Sequence, residues 1–162
     1  MEMLIREHIG KVRAMIYPMV LNHADADDLT QEVFIRVVHA IGGFRRTARF
    51  STWLYRIAMN TTTDFLRKKQ RKPMATEKDL STLIDKGAIP PDQLTARETD
   101  TQITEALASL SPCLRAAINL TAIHGLETAE AARIEGCTIA TLYWRVHQAR
   151  RLLRKKLGGR LK

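Results

Sequence analysis

Hydrophobic residues recur at steps of three and four positions along most of this chain, which is the spacing of one face of an α-helix. In the N-terminal part the pattern predicts three amphipathic helices, at about 3–21, 27–41 and 50–72. Pro18 lies inside the first of them and is expected to kink or end it. Because the periodic segments have helical spacing here and again near the C-terminus, the pattern predicts an all-α fold.

The C-terminal part repeats the helical spacing in shorter pieces. Periodicity resumes near Ile103, and Ser111-Pro112 is a typical start for the next helix. A short helix at 128–135, a turn at Gly136 and a long helix from Ile139 follow. Glycine tolerates the left-handed conformation that such a tight turn uses. This order is typical of a helix-turn-helix, a unit that many DNA-binding proteins share.

Capping residues predict where several helices begin. Asp27 or Asp28 is expected to cap the second helix, since each can accept a hydrogen bond from a free backbone N–H of the first turn. For the third helix the candidates are Ser51 and Thr52, and for the last helix the candidate is Thr138.

Between the two helical parts the periodicity fades, and prolines and acidic residues take its place. The chain therefore divides into a domain at 1–72, a flexible acidic linker at 73–102 and a second small helical domain at 103–162. A flexible coil of this length has a root-mean-square span of roughly 30 Å and a limit near 90 Å. It could therefore join sites about one and a half duplex turns apart.

Charge is distributed in the same three parts. The 162 residues carry a net charge of +9, divided as +6 over 1–72, −4 over 73–105 and +7 over 106–162. Basic lobes attract polyanions, so nucleic acid and anionic membranes are the candidate partners. No segment approaches the roughly 18 continuous apolar residues of a membrane span, which predicts a cytoplasmic chain without direct membrane insertion.

The third helix, FSTWLYRIAMNTTTDFLRKKQRK, combines aromatic, amide and basic side chains. Trp53 and Phe65 are in register with its apolar face and are expected to be core residues. The opposite face carries Tyr55, Arg56, Met59, Asn60, Thr63, Asp64 and Arg67. Rings and amides can hold bases that have left the duplex, while a cation cluster such as Arg67, Lys68, Lys69 and Arg71 holds the backbone. This helix therefore predicts contact with single-stranded nucleic acid.

The last helix has an inward stripe of Leu142, Val146, Ala149 and Leu153. Its outward face carries Thr141, Tyr143, Trp144, His147, Gln148 and Arg151. Exposed aromatics beside amide and guanidinium groups are typical of a recognition helix in the major groove. The alternative is that Trp144 packs on a neighbouring helix and the cations only solvate the face. Arg150 and the basic residues after it are expected to contact phosphates without reading sequence.

Chemistry of other kinds has little support in the sequence. Asp25, Asp27, Asp28 and Glu32 are the acidic cluster whose spacing suggests a divalent-metal site, although capping and helix-dipole roles explain Asp27 and Asp28 better. Two cysteines and five histidines form no metal-ligand or nucleophile motif. We therefore predict no metal site, no cofactor and no catalysis by this chain alone.

Three segments together resemble the extracytoplasmic-function (group four) sigma factors of bacterial RNA polymerase. They are DADDLTQEVFIRVVHAIGGF, FSTWLYRIAMNTTTDFLRKKQRK and LSPCLRAAINLTAIHGLETAEAARIEGCTIATLYWRVHQARRLLRKKL, in this order. The resemblance implies a sigma region-2-like helical bundle and a region-4-like helix-turn-helix. It also implies the function of an alternative sigma factor, which binds core RNA polymerase and directs promoter recognition and DNA opening.

The resemblance further implies roles for individual residues. Asn60 lies where the family captures a flipped base of the minus-ten element, and the outward face of the last helix lies where it reads the minus-thirty-five element. The family's surface for core polymerase corresponds to Asp28, Gln31, Glu32, Phe34, Ile35 and Arg36. The implied partners are core RNA polymerase, promoter DNA as duplex and as single strand, and an anti-sigma factor.

Two other functions are left open by the residues themselves. A free-standing helix-turn-helix DNA-binding regulator with a dimerising first lobe would bind a palindromic duplex without polymerase, but it leaves 50–72 unexplained. A nucleic-acid-processing enzyme that uses the carboxylates between Asp25 and Glu32 would cleave in the presence of a divalent metal.

Overall fold

The computed structural model describes residues 2–45, 47–71 and 101–158, and helices form most of these ranges, with no strand among them. The helices are α1 (Glu2–Val20), α2 (His23–Ala40), α3 (Phe50–Arg71), α4 (101–108), α5 (Pro112–Ile118), α6 (Thr128–Glu135) and α7 (Ile139–Lys156). A 3₁₀ turn at Ile41–Gly43 follows α2, and a π-helical turn at Asn119–Ile123 extends α5. The predicted all-α fold is confirmed. The predicted linker lies outside the described residues except for 101 and 102, which are helical.

Helices α1, α2 and α3 pack against one another and form the N-terminal lobe. Val12 and Ile16 of α1, Val33 of α2, and Leu54 and Ala58 of α3 are all fully buried at their junction. The two residues on α1 are four positions apart, as are the two on α3, which is the helical spacing that predicted these helices. Burial of these apolar side chains is the main stabilising contribution in the lobe.

The capping predictions were correct for one helix and wrong for two. Asn22 caps α2 by accepting a hydrogen bond from the Asp25 N–H at 2.9 Å, so α2 begins before Asp27 and Asp28. Helix α3 begins at Phe50, one residue before the candidate Ser51. Thr138 does cap α7 through the Thr141 N–H at 3.1 Å. Helix α1 continues two residues past Pro18 and ends at Val20.

Helices α4 to α7 form the C-terminal lobe. Helix α6, its turn and α7 are the predicted helix-turn-helix, and Gly136 at the turn has a φ of +64°, the left-handed conformation expected of it. Leu120, Ile134 and Leu142 are fully buried between these helices. Ala132 is buried as well, and its small side chain permits the close approach of α6 to its neighbours.

The hydrophobic core of the C-terminal lobe extends into the N-terminal lobe. Met15 and Met19 of α1, together with Met59 and Leu66 of α3, belong to the buried cluster of the C-terminal lobe. Methionine side chains are flexible and fill irregular contacts of this kind. The outward position predicted for Met59 is therefore wrong, because a second lobe covers that side of α3.

Candidate nucleic-acid interface

Helix α7 presents its aromatic residues to solvent. Tyr143 is 62% exposed and Trp144 is 59% exposed, while Leu142 and Val146 on the opposite side are buried. The alternative in which Trp144 packs on a neighbouring helix is therefore wrong for this structure. Because the rings project from a helix anchored by its other face, they are available for contact in a groove of duplex DNA.

The remaining predicted residues of α7 lie around these rings. His147 and Arg151 are exposed, whereas Thr141 and Gln148 are half-buried. The hydroxyl of Thr141 lies 2.8 Å from the hydroxyl of Thr138, so it is engaged at the start of the helix. The structure thus places the six predicted side chains along one helix, with four of them exposed.

The predicted base-contacting face of α3 has a different environment, because the C-terminal lobe lies against it. Thr52 Oγ1 donates a hydrogen bond to Glu130 Oε1 of α6 at 3.0 Å. A Cβ atom placed on Gly136 would lie 3.3 Å from Nη2 of Arg56, so the guanidinium reaches the turn of the helix-turn-helix. Tyr55 is half-buried and packs against the cores of both lobes, and this burial raises its pKa, as does the nearby Glu130 carboxylate.

A polar cavity of about 280 Å³ lies where α3 meets the C-terminal lobe. Arg67 Nη2 lies 3.7 Å from the sulfur of Cys113, and Arg145 Nη1 donates to Glu135 Oε2 at 3.1 Å. Burial raises the pKa of Glu135, while the charges of Arg145 and Arg67 oppose this shift. The residues that line the cavity are Asn60, Thr63, Asp64, Arg67, Cys113, Glu135 and Arg145.

The basic end of α3 is exposed but partly paired. Lys69 Nζ lies 3.0 Å from Asp25 Oδ2 of α2, and Arg67 lies 3.8 Å from Asp64. Lys68 and Arg71 are exposed at the same end of the helix. Exposed ion pairs of this kind contribute little to stability, so the cations can exchange a carboxylate for a phosphate.

The predicted polymerase-binding surface on α2 is mostly open. Ile35 is 58% exposed, and Arg36 Nε donates to Glu32 Oε1 at 3.0 Å beside it. Val38, one turn further along, is 49% exposed and was not among the predicted residues, although its spacing from Ile35 could have identified it. The exposed residues predicted from sequence are Asp28, Gln31, Glu32, Ile35 and Arg36.

Phe34 is the exception on this surface. Its side chain is only 8% exposed and belongs to the core of the N-terminal lobe. Phe34 is one position from Val33 and three from Val37, and both of these are buried, so its helical phase carries it inward. It supports the exposed face from beneath and is not available as a direct contact.

The acidic cluster of α2 is spread over several ion pairs. Asp27 accepts a hydrogen bond from Arg13 Nε at 2.5 Å, and this contact lowers the pKa of Asp27. Asp25 pairs with Lys69, and Glu32 pairs with Arg36. Within the described ranges, no three His, Cys, Asp or Glu side chains are grouped as ligands for a metal ion.

None of the described helices is long and apolar enough to cross a membrane.

Comparison with known proteins identifies both lobes. Residues 4–72 match the Sigma-70 region 2 family, and residues 100–153 match the Sigma-70, region 4 family. The ECF RNA polymerase sigma factor SigW of Bacillus subtilis is 34% identical over 157 residues, which cover 91% of this chain and 83% of SigW. The ECF RNA polymerase sigma-E factor of Escherichia coli K12 is 32% identical over 163 residues, which cover 96% of this chain and 85% of that factor.

Solved structures have the same fold. The sigma factor RpoE of Bartonella quintana, in complex with the anti-sigma factor NepR, superposes with a TM-score of 0.71 at 27% identity, covering 97% of this chain and 96% of RpoE. CnrH, in complex with the cytosolic domain of CnrY, also superposes with a TM-score of 0.71, at 24% identity. This match covers 98% of this chain and 88% of CnrH. With two family regions in order and relatives aligned over nearly its whole length, the chain belongs to the ECF family of RNA polymerase sigma factors.

Proposed function

We propose that this chain is a dissociable promoter-specificity subunit, an alternative sigma factor that binds core RNA polymerase and directs promoter recognition and opening. One observation carries the proposal: a single chain holds two different DNA-directed helices. Helix α7 offers exposed aromatic and basic groups suited to duplex DNA, and α3 offers an amide, a ring and cations suited to an opened strand. A regulator that binds only duplex DNA would need just the first.

The minus-thirty-five element is assigned to the outward face of α7. Arg151 and Gln148 have the donors and acceptors that read base edges, and Tyr143 and Trp144 supply apolar contact. The full set is Thr141, Tyr143, Trp144, His147, Gln148 and Arg151. The exposure of both rings supports this assignment, since a groove-reading side chain must be free in the unbound protein.

The minus-ten element is assigned to α3. Asn60 would hold a flipped base by its edge, and the basic end of the helix would hold the phosphates of the displaced strand. The full set is Tyr55, Arg56, Asn60, Thr63, Arg67, Lys68, Lys69 and Arg71. Asn60 is exposed and lines a polar cavity, so its amide is accessible from solvent.

We assign the binding of core polymerase to the exposed face of α2. Asp28, Gln31, Glu32, Ile35 and Arg36 combine one large apolar side chain with charges of both signs, and Val38 extends the apolar part. An apolar centre with a polar rim is the usual composition of a protein interface.

An anti-sigma factor is the further partner that we infer. The Bartonella quintana relative was solved in complex with such a factor, and it covers nearly all of this chain. The chain itself would act in the cytoplasm, where core polymerase and DNA are found, and would carry out no catalysis of its own. Promoter opening would be driven by binding energy within the polymerase complex.

Reconstitution tests the proposal directly. Core polymerase incubated with the full chain and sheared host genomic DNA should produce transcripts whose start sites share two upstream motifs. Core polymerase alone is the control, and mapping of the transcript 5′ ends is the measurement. A chain that never co-purifies with core polymerase, and that binds a palindromic duplex alone, would instead be a free-standing helix-turn-helix regulator.

A further inference from the structure

Trp144 lies at the centre of the outward face of α7. At about 100° per residue it lies roughly opposite Leu153, which is nine positions further along the helix and is buried. Tyr143, the neighbouring ring, is turned by about 100° from Trp144 and lies toward the edge of the same face. The indole of Trp144 therefore points directly away from the core of the C-terminal lobe.

Two polar residues share one ridge of the helix with Trp144. Gln148 lies four positions along and Arg151 lies seven, so the three side chains form a single stripe. Arg151 is exposed and Gln148 is half-buried. In the major groove a guanidinium bonds to the edge of guanine, and an amide bonds to the edge of adenine. The indole adds an apolar group to this stripe.

An apolar side chain in the major groove has one apolar partner among the four bases. Thymine carries a methyl group there, whereas cytosine, the other pyrimidine, presents an amino group that suits a carboxylate acceptor. No Asp or Glu occurs in α7 from Ile139 to Lys156. At the position that Trp144 contacts, the face is therefore complementary to thymine and not to cytosine.

The rise of the helix limits where this thymine lies. Trp144 and Arg151 are seven residues apart, which is about 10 Å along the axis at roughly 1.5 Å per residue. Successive bases of one duplex strand are about 3.4 Å apart. The thymine that Trp144 contacts and the guanine that Arg151 contacts are thus expected within about three base pairs of each other.

We propose that Trp144 is a specificity-determining residue that contacts the methyl group of a thymine in the minus-thirty-five element. The inference rests on the proposed function of α7 and names the base that this helix selects. Tyr143, at the edge of the face, has a hydroxyl suited to a phosphate and is not assigned to this base. The promoters of this chain therefore require thymine at one upstream position, where cytosine does not replace it.

The duplex probe for the test is obtained by selection. Duplexes with a randomised window are selected by the full chain bound to core polymerase and, in parallel, by the full chain alone, with core polymerase alone as the control. Each thymine of the enriched upstream motif is then replaced by uracil, which pairs with adenine in the same way but lacks the methyl group. If neither form enriches an upstream motif, the proposed function of α7 fails, and the inference fails with it.

Binding is measured by competition between the thymine probe and each uracil probe, in the form of the protein that enriched the motif. Loss of the contacted methyl group should weaken binding by the parent chain about fourfold, the factor that burial of one methyl-sized group supplies. Trp144→Ala should bind both probes equally, whereas Trp144→Phe keeps a ring and should keep the preference for thymine. Arg150→Ala is the matched control, because loss of a phosphate contact should weaken binding to both probes and leave their ratio unchanged.

Trp144→Ala removes an exposed side chain, so its circular dichroism and its urea denaturation should match those of the parent chain. Equal binding of the parent chain to the thymine probe and to every uracil probe would overturn the inference and leave the proposed function intact. A preference for thymine that survives in Trp144→Ala would also overturn it, because another residue would then contact the methyl group.

Discussion

The two helices that we propose to contact DNA have opposite environments. On α7 the rings of Tyr143 and Trp144 are more than half exposed, whereas on α3 Tyr55 is half-buried and Met59 is fully buried. Helix α7 is packed on one side only, so its outward face follows from its own helical phase. Helix α3 is packed on two sides, so part of the face that its phase leaves open, including Met59, is covered by the other lobe.

The charged groups around the two helices also differ. The exposed cations of α7 include Arg150, Arg151 and Arg154. The polar groups of α3 meet acidic side chains, since Thr52 bonds to Glu130 and the charge of Arg67 acts on Glu135. The outward face of α7 is therefore open and basic, whereas part of the predicted base-contacting face of α3 already contacts the C-terminal lobe.

The largest expected effect is on the free energy of unfolding, and it distinguishes the buried face of α7 from the exposed face. Leu142→Ala should lower the free energy of unfolding by about 2–5 kcal/mol, because the residue is fully buried and its loss leaves a cavity. Tyr143→Ala, one position along and 62% exposed, should change it by no more than about 0.5 kcal/mol. Urea denaturation of the full chain measures both. Equal losses would mean that α7 is packed on both sides, as α3 is.

The next effect distinguishes sequence reading from phosphate contact on α7. Arg151→Ala should weaken discrimination at one position of the minus-thirty-five element by about 1–3 kcal/mol. Arg150→Ala should weaken binding to all sequences about equally and should reduce the salt dependence. Both side chains are exposed, so neither change should alter stability. Competition binding with single-base variants, at two salt concentrations, compares them.

The sequence predicted the helices better than their surroundings. Within one lobe, the three- and four-residue spacing identified the buried stripe of α7 from Leu142 to Leu153, since that stripe faces a single neighbour. The start of α2 was wrong because Asn22, six residues before Asp28, caps the helix instead. Several polar residues can act as caps, and only tertiary packing decides which of them does so.

The contacts between the lobes could not be predicted from the hydrophobic periodicity of the sequence. Met59 and Tyr55 were expected to face solvent because a period of 3.6 describes one helix and carries no information about a lobe more than 40 residues away. Asn119 did carry a signal that could have been used. It is a polar residue within the run AAINLTAI, in the phase of buried neighbours, and a buried amide requires a partner.

A smaller effect should appear on α3, where only the opening step depends on the predicted residue. Asn60→Ala should slow promoter opening by the equivalent of about 0.5–1.5 kcal/mol, the net worth of a hydrogen bond. Closed-complex binding should not change, because that step uses α7. Permanganate reactivity of the melted bases measures opening, and a gel shift on duplex promoter measures the closed complex. Equal loss in both would contradict the role of Asn60.

The smallest expected effect is a pH dependence at the contact between the lobes. Burial lowers the pKa of His124 below its ordinary 6.5, and the Ala14 carbonyl only partly offsets this. The unfolded chain therefore binds more protons at this site than the folded chain does, so the contribution of His124 to the free energy of unfolding is complete above pH 6.5 and decreases as the pH falls below it. Glu135, whose pKa is raised, acts in the opposite direction, so the parent chain alone cannot isolate the imidazole.

His124→Gln keeps a donor for the Ala14 carbonyl and removes the titration. Between pH 7.5 and 5.5 the parent chain should lose more of its free energy of unfolding than this variant, as measured by urea denaturation. Parallel pH profiles would mean that the imidazole has the same pKa in the folded and unfolded chains. His124 would then lie at the contact between the lobes without making stability depend on pH.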